Sequence, residues 1–250
     1  MSNTELLDIV IRGCKRVPAD QIARASVVGK NEGLFRDLTH NSLCESRTDL
    51  LTRAEWDTPP EAFERWSQLW PTGNRSKGMI DLAATTISEP LTSTLALGVE
   101  FKLWYWFDLL DQSKYAESGR NYSHLVSQSF VMDATKLLAS VPPESGSRLI
   151  VTIVPTFHIE KIPTSNSKKR GDYLIERGFP KSYIGLSRVN VKKEQPHSAE
   201  LRVTALKKFT DYLQTRGCDS VIGGELVGNY DGLIVTTDFV VSEVRENFRY

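Results

Sequence analysis

The sequence predicts an α/β protein in which a central mixed β-sheet is flanked by helices, and three observations carry that expectation. Apolar runs at 79–86, 95–106 and 148–157 have the length and content of buried strands. Between and after them, stripes of apolar residues recur at helical spacing. The composition, 40% hydrophobic and 25% charged over 250 residues, is that of an ordinary folded chain able to bury a sizeable core.

Taken in order, Ala19 to Leu43 carries Ile22, Ala25, Val28, Leu34, Phe35 and Leu38, a helical stripe interrupted near Gly29 and Gly33, which reads as one broken helix or two short ones. Pro59 and Pro60 open a second helix with Phe63, Trp66, Leu69 and Trp70, whose tryptophans at helical spacing are core candidates. Gly73 to Gly78 is turn-like, and the strand candidate Met79 to Thr86 follows. Ser88, Glu89 and Pro90 end it, and a second strand runs from about Leu95 to Trp106. Tyr122 to Val141 reads as a helix stopped by Pro142 and Pro143. Arg148 to Phe157 is a third strand, and Glu200 to Thr215 is a helix with Gly217 placed to stop it. Val221 to Val244 reads as a terminal β-hairpin turning at Asn229-Tyr230-Asp231-Gly232. Gly223-Gly224 and Gly228 have no Walker or dinucleotide context and read as turn chemistry. One domain, 1–250, is expected, with 158–196 as a basic insertion or arm.

No run approaches the ~20 apolar residues of a membrane helix. The stretch up to Arg16 mixes charge into its apolar residues and lacks a small-residue cleavage site, so a cytoplasmic location is expected, without membrane partners. Cys14, Cys44 and Cys218 are odd in number and far apart, which argues for free thiols over a disulfide framework or a zinc site. His40, His124, His158 and His197 lack metal-ligand spacing. Formal net charge is zero, but Lys161 to Lys193 holds nine basic residues against two acidic ones, a local charge of +7. A solvated loop and a phosphate-contacting arm are both open readings of that segment.

The chemistry is concentrated in two apolar strands that each contain charge. Asp81 lies in Gly78-Met79-Ile80-Asp81-Leu82, and eighteen residues separate it from Glu100 in Val99-Glu100-Phe101-Lys102-Leu103. Side chains alternate along a strand, so Glu100 and Lys102 share a face. A hairpin-like return brings Asp81 beside Glu100. Two such carboxylates repel unless a hard divalent cation lies between them, and an ammonium two residues along could hold a water that attacks a phosphodiester. The alternative is a cross-strand ion pair between Glu100 and Lys102 with Asp81 unrelated.

Asp81 with Glu100-Phe101-Lys102 resembles the signature of the PD-(D/E)XK nuclease superfamily, which includes many restriction and recombination nucleases. At the level of element order the resemblance spans about Ala19 to Phe157; at residue level it covers the short motif. One departure is Ile80, where the signature has proline. The resemblance implies a restriction-endonuclease-like core in which a helix precedes a strand meander, Asp81 and Glu100 bind Mg2+ (Mn2+ substituting), the Phe101 carbonyl completes the shell, and Lys102 assists the attacking water. Some members add an acid from the first helix, which Glu32 in Asn31-Glu32-Gly33-Leu34-Phe35 matches, with Asp37 or Glu45 as alternatives. Gln128 matches a supporting polar position. Arg75 and Lys77 are candidate phosphate contacts, as are Lys168, Lys169, Arg170, Lys181, Arg188, Lys192 and Lys193 of the basic segment. The implied protein is a DNA endonuclease of the restriction type, cutting double-stranded DNA as a homodimer. A repair or recombination nuclease and a non-catalytic nucleic-acid-binding protein on the same fold are the alternatives.

Overall fold

A computed structural model describes residues 3–28, 32–69, 78–87, 95–104, 129–142, 144, 146–158, 199–230 and 233–249. Three helices come first, α1 (Asn3–Lys15), α2 (Ala19–Val28) and α3 (Glu32–Ser46). They are followed by β1 (Leu50–Asp57), α4 (Pro60–Leu69), β2 (Met79–Thr86) and β3 (Leu97–Leu103). The chain continues through α5 (Val131–Ser140), β4 (Ser147–His158), α6 (Ala199–Thr215), β5 (Cys218–Tyr230) and β6 (Leu233–Val244). The strands form one six-stranded mixed sheet in the order β1-β2-β3-β4-β6-β5. β1, β2 and β3 make an antiparallel meander, β4 lies parallel to β3, and the β5–β6 hairpin joins antiparallel to β4 through its second strand.

Both faces of the sheet are covered, as its near-continuous apolar strands require. On one face, Leu82, Ala84, Leu97, Val99, Phe101, Val151 and Phe239 pack with Leu6, Ile9, Val10, Ile22, Phe35 and Leu43 of α1–α3. On the other, Ala83, Ile150, Val154 and Val240 pack with Ala134 and Leu137 of α5 and with Ala205, Phe209 and Leu213 of α6. The indole N–H of Trp66 in α4 donates to Thr135 Oγ1 at 3.1 Å, tying that helix to α5 and confirming the buried place expected for this tryptophan. Gly98 lets β3 and α5 approach: a Cβ there would sit 2.8 Å from both Leu137 and Val141 side-chain carbons.

The interruption near Gly29 and Gly33 separates two helices, α2 and α3. Gly217 ends α6 with φ +85°, where a side chain would be strained. Two points differ from expectation. α1 and β1 are regular elements where none is expected. Gly223, Gly224 and Gly228 are not turn residues but lie inside β5: a Cβ at Gly223 would meet the Phe239 ring at 2.2 Å, and one at Gly228 would meet the Ala19 carbonyl oxygen at 1.9 Å. Close approach is the reason for glycine at 223 and 228, and φ +145° at a β-bulge is the reason at 224. The described part of the helix expected over Tyr122 to Val141 is helical over Val131–Ser140. Trp70, Gln128, the turn at Asp231-Gly232 and nearly all of 158–196 lie outside the described residues. Among the described residues no helix is long and apolar enough to cross a membrane.

A candidate acidic and lysine-rich active site at the fork of two strands

Pairing between β2 and β3 covers Leu82↔Val99, Ala83↔Gly98 and Ala84↔Leu97. Past Leu82 the ladder changes. Leu82 packs toward α1–α3, yet Ile80, two residues earlier, packs toward α5, as does its β1 partner Trp56. Regular alternation would place Ile80 and Leu82 on one face, so both strands turn over between them, at Asp81 and the facing Glu55. Glu55 has φ 54°, a left-handed conformation that costs a side-chain-bearing residue on the order of 1 kcal/mol. Its carboxylate accepts from Arg36 Nη1 at 2.6 Å.

This local reversal frees Asp81 from the ladder. Its Oδ2 accepts the backbone N–H of Phe101 at 2.8 Å, so a side chain of β2 ties down the middle of the Glu100-Phe101-Lys102 triplet. Glu32, at the first turn of α3, reaches the same strand from the other end: its Oε1 accepts the Leu103 N–H at 2.7 Å. The residue as a whole is solvent-accessible, but its carboxyl head is partly desolvated. That desolvation, reinforced by Asp81 and Asp133, raises its pKa against the opposing Leu103 hydrogen bond and Lys102 charge. Asp81, Glu100, Lys102 and Glu32 are therefore one cluster. Asp37 and Glu45, the alternatives to Glu32, are engaged elsewhere, with Arg36 and Arg16.

Two residues of the cluster carry no signature in the strand motif. Asp133 and Lys136 stand one turn apart on α5, which lies over the Glu100 face of β3. The Lys102 ammonium contacts Asp133 Oδ2 at 2.9 Å, and the Lys136 ammonium contacts Glu100 Oε1 at 2.6 Å and Asp133 Oδ1 at 3.4 Å. Lys136 also donates to the Met79 carbonyl at 2.7 Å. Glu100 and Lys102 thus pair with α5 and not with each other. Asp133 is 1% exposed and Glu100 2% exposed, so these are charges in a dry setting. In the run Phe130–Val141 they are the only charged residues, which is the one signal the sequence offers for them.

Burial, with Asp133 and Asp81 nearby, pushes the Glu100 carboxyl well above the ordinary range, opposed by Lys136. Burial acts to lower Lys102, but Asp133, Glu100 and Glu32 more than offset it and hold its pKa above the usual lysine value. Lys102 is consequently an ammonium at neutral pH. It can orient a water or a phosphate but cannot take a proton as a base. Lys136 is likewise held in the charged form, its burial outweighed by Glu100 and Asp133. Cys14 and Cys218 stand apart from the cluster, buried, with thiols pushed up to about 12 by desolvation, and offer no nucleophile.

Among the described residues no three His, Cys, Asp or Glu side chains form a ready-made metal cage. The donor set nevertheless suits a hard cation. Magnesium takes one or two protein carboxylates and keeps several waters, and Asp81 and Glu100 bring two carboxylates to neighbouring positions, with the Lys136 ammonium 2.6 Å from Glu100 Oε1. Four carboxylates and two ammoniums in one cluster leave a formal charge of −2, the charge one divalent cation balances. Arg75, Lys77, Lys168, Lys169, Arg170, Lys181, Arg188, Lys192 and Lys193 lie outside the described residues.

Comparison with known proteins returned no match: no family model matches the sequence, and no curated protein or solved structure matches it.

Proposed function

We propose that this chain is a magnesium-dependent nuclease of the PD-(D/E)XK type that hydrolyses DNA phosphodiester bonds. The observation that carries the reading is the fork between β2 and β3, where Asp81, Glu100, Lys102 and Glu32 gather into a cluster with a net formal charge of −2. A meander of three antiparallel strands followed by a parallel fourth supports the restriction-endonuclease-like core expected from the motif.

Asp81 and Glu100 would hold the magnesium, with the Phe101 carbonyl as a further ligand and Mn2+ as a substitute. When bound, the ion supplies Lewis-acid polarisation of the scissile phosphate and charge neutralisation in the transition state. The protein supplies position. The Phe101 N–H fixes Asp81, α5 fixes Glu100 through Lys136, and Lys102, permanently protonated, orients the water and counters charge that develops on the phosphate oxygens. Water forms the new P–O bond as the bond to the leaving oxygen breaks, and the water's proton passes to solvent or to the leaving oxygen. Glu32 adds a further carboxylate for water or metal.

Double-stranded DNA is the proposed substrate, with the basic segment 161–193 supplying backbone contacts. Cutting both strands calls for two sites across the duplex, which a two-fold homodimer would provide. A restriction-type enzyme is the leading role, with a repair or recombination nuclease as the competitor. Incubation of mixed plasmid and phage DNA with Mg2+ separates them. Discrete fragments, lost in Asp81→Ala and Lys102→Ala proteins of verified fold, support a sequence-specific endonuclease; a smear lost in both supports the repair class. DNA binding without cleavage in all three would replace the nuclease reading with a non-catalytic binding protein.

A further inference from the structure

The proposed magnesium site assigns work to Asp81, Glu100 and Lys102 and uses Lys136 only to fix Glu100, which leaves the buried carboxylate of Asp133 without a role. Phosphodiesterases that use two metal ions hold them about 3.5–4 Å apart on a shared carboxylate, one ion at each end of the reacting bond. Glu100 has the place of such a shared carboxylate. Asp81 reaches the N–H of the next residue from β2, and on α5 Asp133 faces Glu100 across the Lys136 ammonium as a second carboxylate pair. Between this second pair stands the Lys136 ammonium, 2.6 Å from Glu100 Oε1 and 3.4 Å from Asp133 Oδ1, with the Met79 carbonyl oxygen at 2.7 Å. Two carboxylates and a backbone carbonyl are the oxygen set a hard cation selects.

We propose that the Lys136 ammonium fills the position of a second metal ion, so that this nuclease works with one divalent cation and one covalently attached charge. The inference rests on the nuclease reading above. Charge supports it: without Lys136 the four carboxylates and Lys102 would carry a formal −3, more than one divalent ion can balance. Geometry supports it too. Lys136 is 8% exposed, and α5, which carries it, is held against β3 by the close approach at Gly98. Lys136 is a positioning residue for Glu100 in this scheme, and Asp133 is the group that holds both ammoniums in register.

Electron paramagnetic resonance titration with Mn2+ alone, on the full chain, counts the bound ions without reference to cleavage. The expected result is one Mn2+ per chain in the native protein and in Lys136→Arg, and two in Lys136→Ala and Lys136→Gln, with folding checked by circular dichroism. Two ions in the native chain overturn the inference whatever the variants do. So does a count of one in both Lys136→Ala and the isosteric Lys136→Gln, which would make Lys136 a counter-ion for the fold only. No bound Mn2+ in any protein, up to millimolar concentration, instead removes the metal-site reading on which the inference stands.

Discussion

Lys102 shows how the surroundings of a residue set its chemistry. A lysine in an apolar strand would ordinarily surrender its proton more readily than one in water, yet Asp133 at 2.9 Å keeps it charged. The three motif residues were legible because a charge in a buried strand is expensive and needs a reason. Asp133 and Lys136 were not, because an Asp–Lys pair three apart on a helix is the common pattern of a solvated face, and only packing shows that both lie inside. A second buried carboxyl makes a test at this scale. Asp238 of β6 is 3% exposed, and burial, with Glu225 nearby, raises it to about 6 against the Arg202 guanidinium, whose Nε lies 3.3 Å away. A raised carboxyl binds more protons folded than unfolded, so its contribution is full below about pH 4 and is lost as pH rises to about 6. Two units correspond to about 3 kcal/mol. Denaturant unfolding of native protein and Asp238→Asn between pH 4 and 7 should show their stability difference shifting in favour of the variant by about that amount. A difference that is flat with pH would refute the assignment.

At the scale of elements, the strands and helices with dense apolar content were readable, while α1 and β1 were not. α1 does carry a helical stripe in Leu6, Ile9, Val10 and Cys14, all buried, but the charges set among them blur it. β1 alternates exposed and half-buried residues and is buried nowhere but at Leu50, so its apolar signal is faint. The reversal at Glu55 and Asp81 is invisible in sequence, since glutamate gives no hint of a left-handed φ. Glu55→Gly should therefore be near neutral, relief of strain offsetting the lost Arg36 pair, whereas Glu55→Val should cost about 1–3 kcal/mol, because a β-branched residue tolerates that conformation least. Equal losses in chemical denaturation would show that the reversal does not constrain the strand. The β5 glycines make a second case. Gly228→Ala must push Ala19 and α2 away from the strand and should cost about 1–3 kcal/mol. Gly33→Ala, on α3 with Arg36 Nη2 at 3.9 Å the only near atom among the described residues, should gain about 0.5–1 kcal/mol through helix propensity. Similar denaturation midpoints for both would contradict the packing described for α2.

For the molecule as a whole, the α/β class followed from period and length, but the order of strands did not. Periodicity identifies a strand without naming its neighbours, and here the terminal hairpin inserts β6 between β4 and β5. The parallel pairing of β3 with β4, set up by the passage through α5, is what lays Asp133 and Lys136 over Glu100 and Lys102. Strand topology and site are thus one fact: a motif from β2 and β3 is completed by the helix that the crossover carries, and by Glu32 from the helix on the opposite side. The central claim is that this cluster hydrolyses DNA with magnesium. Its most direct test is the single-turnover rate of cleavage of a supercoiled plasmid with Mg2+, for native protein and Asp81→Ala of equal fold and equal DNA affinity. The rate should fall by on the order of 10²–10³ in the variant and vanish for the native protein in EDTA. Equal rates in the two proteins, or cleavage that persists in EDTA, would contradict the site.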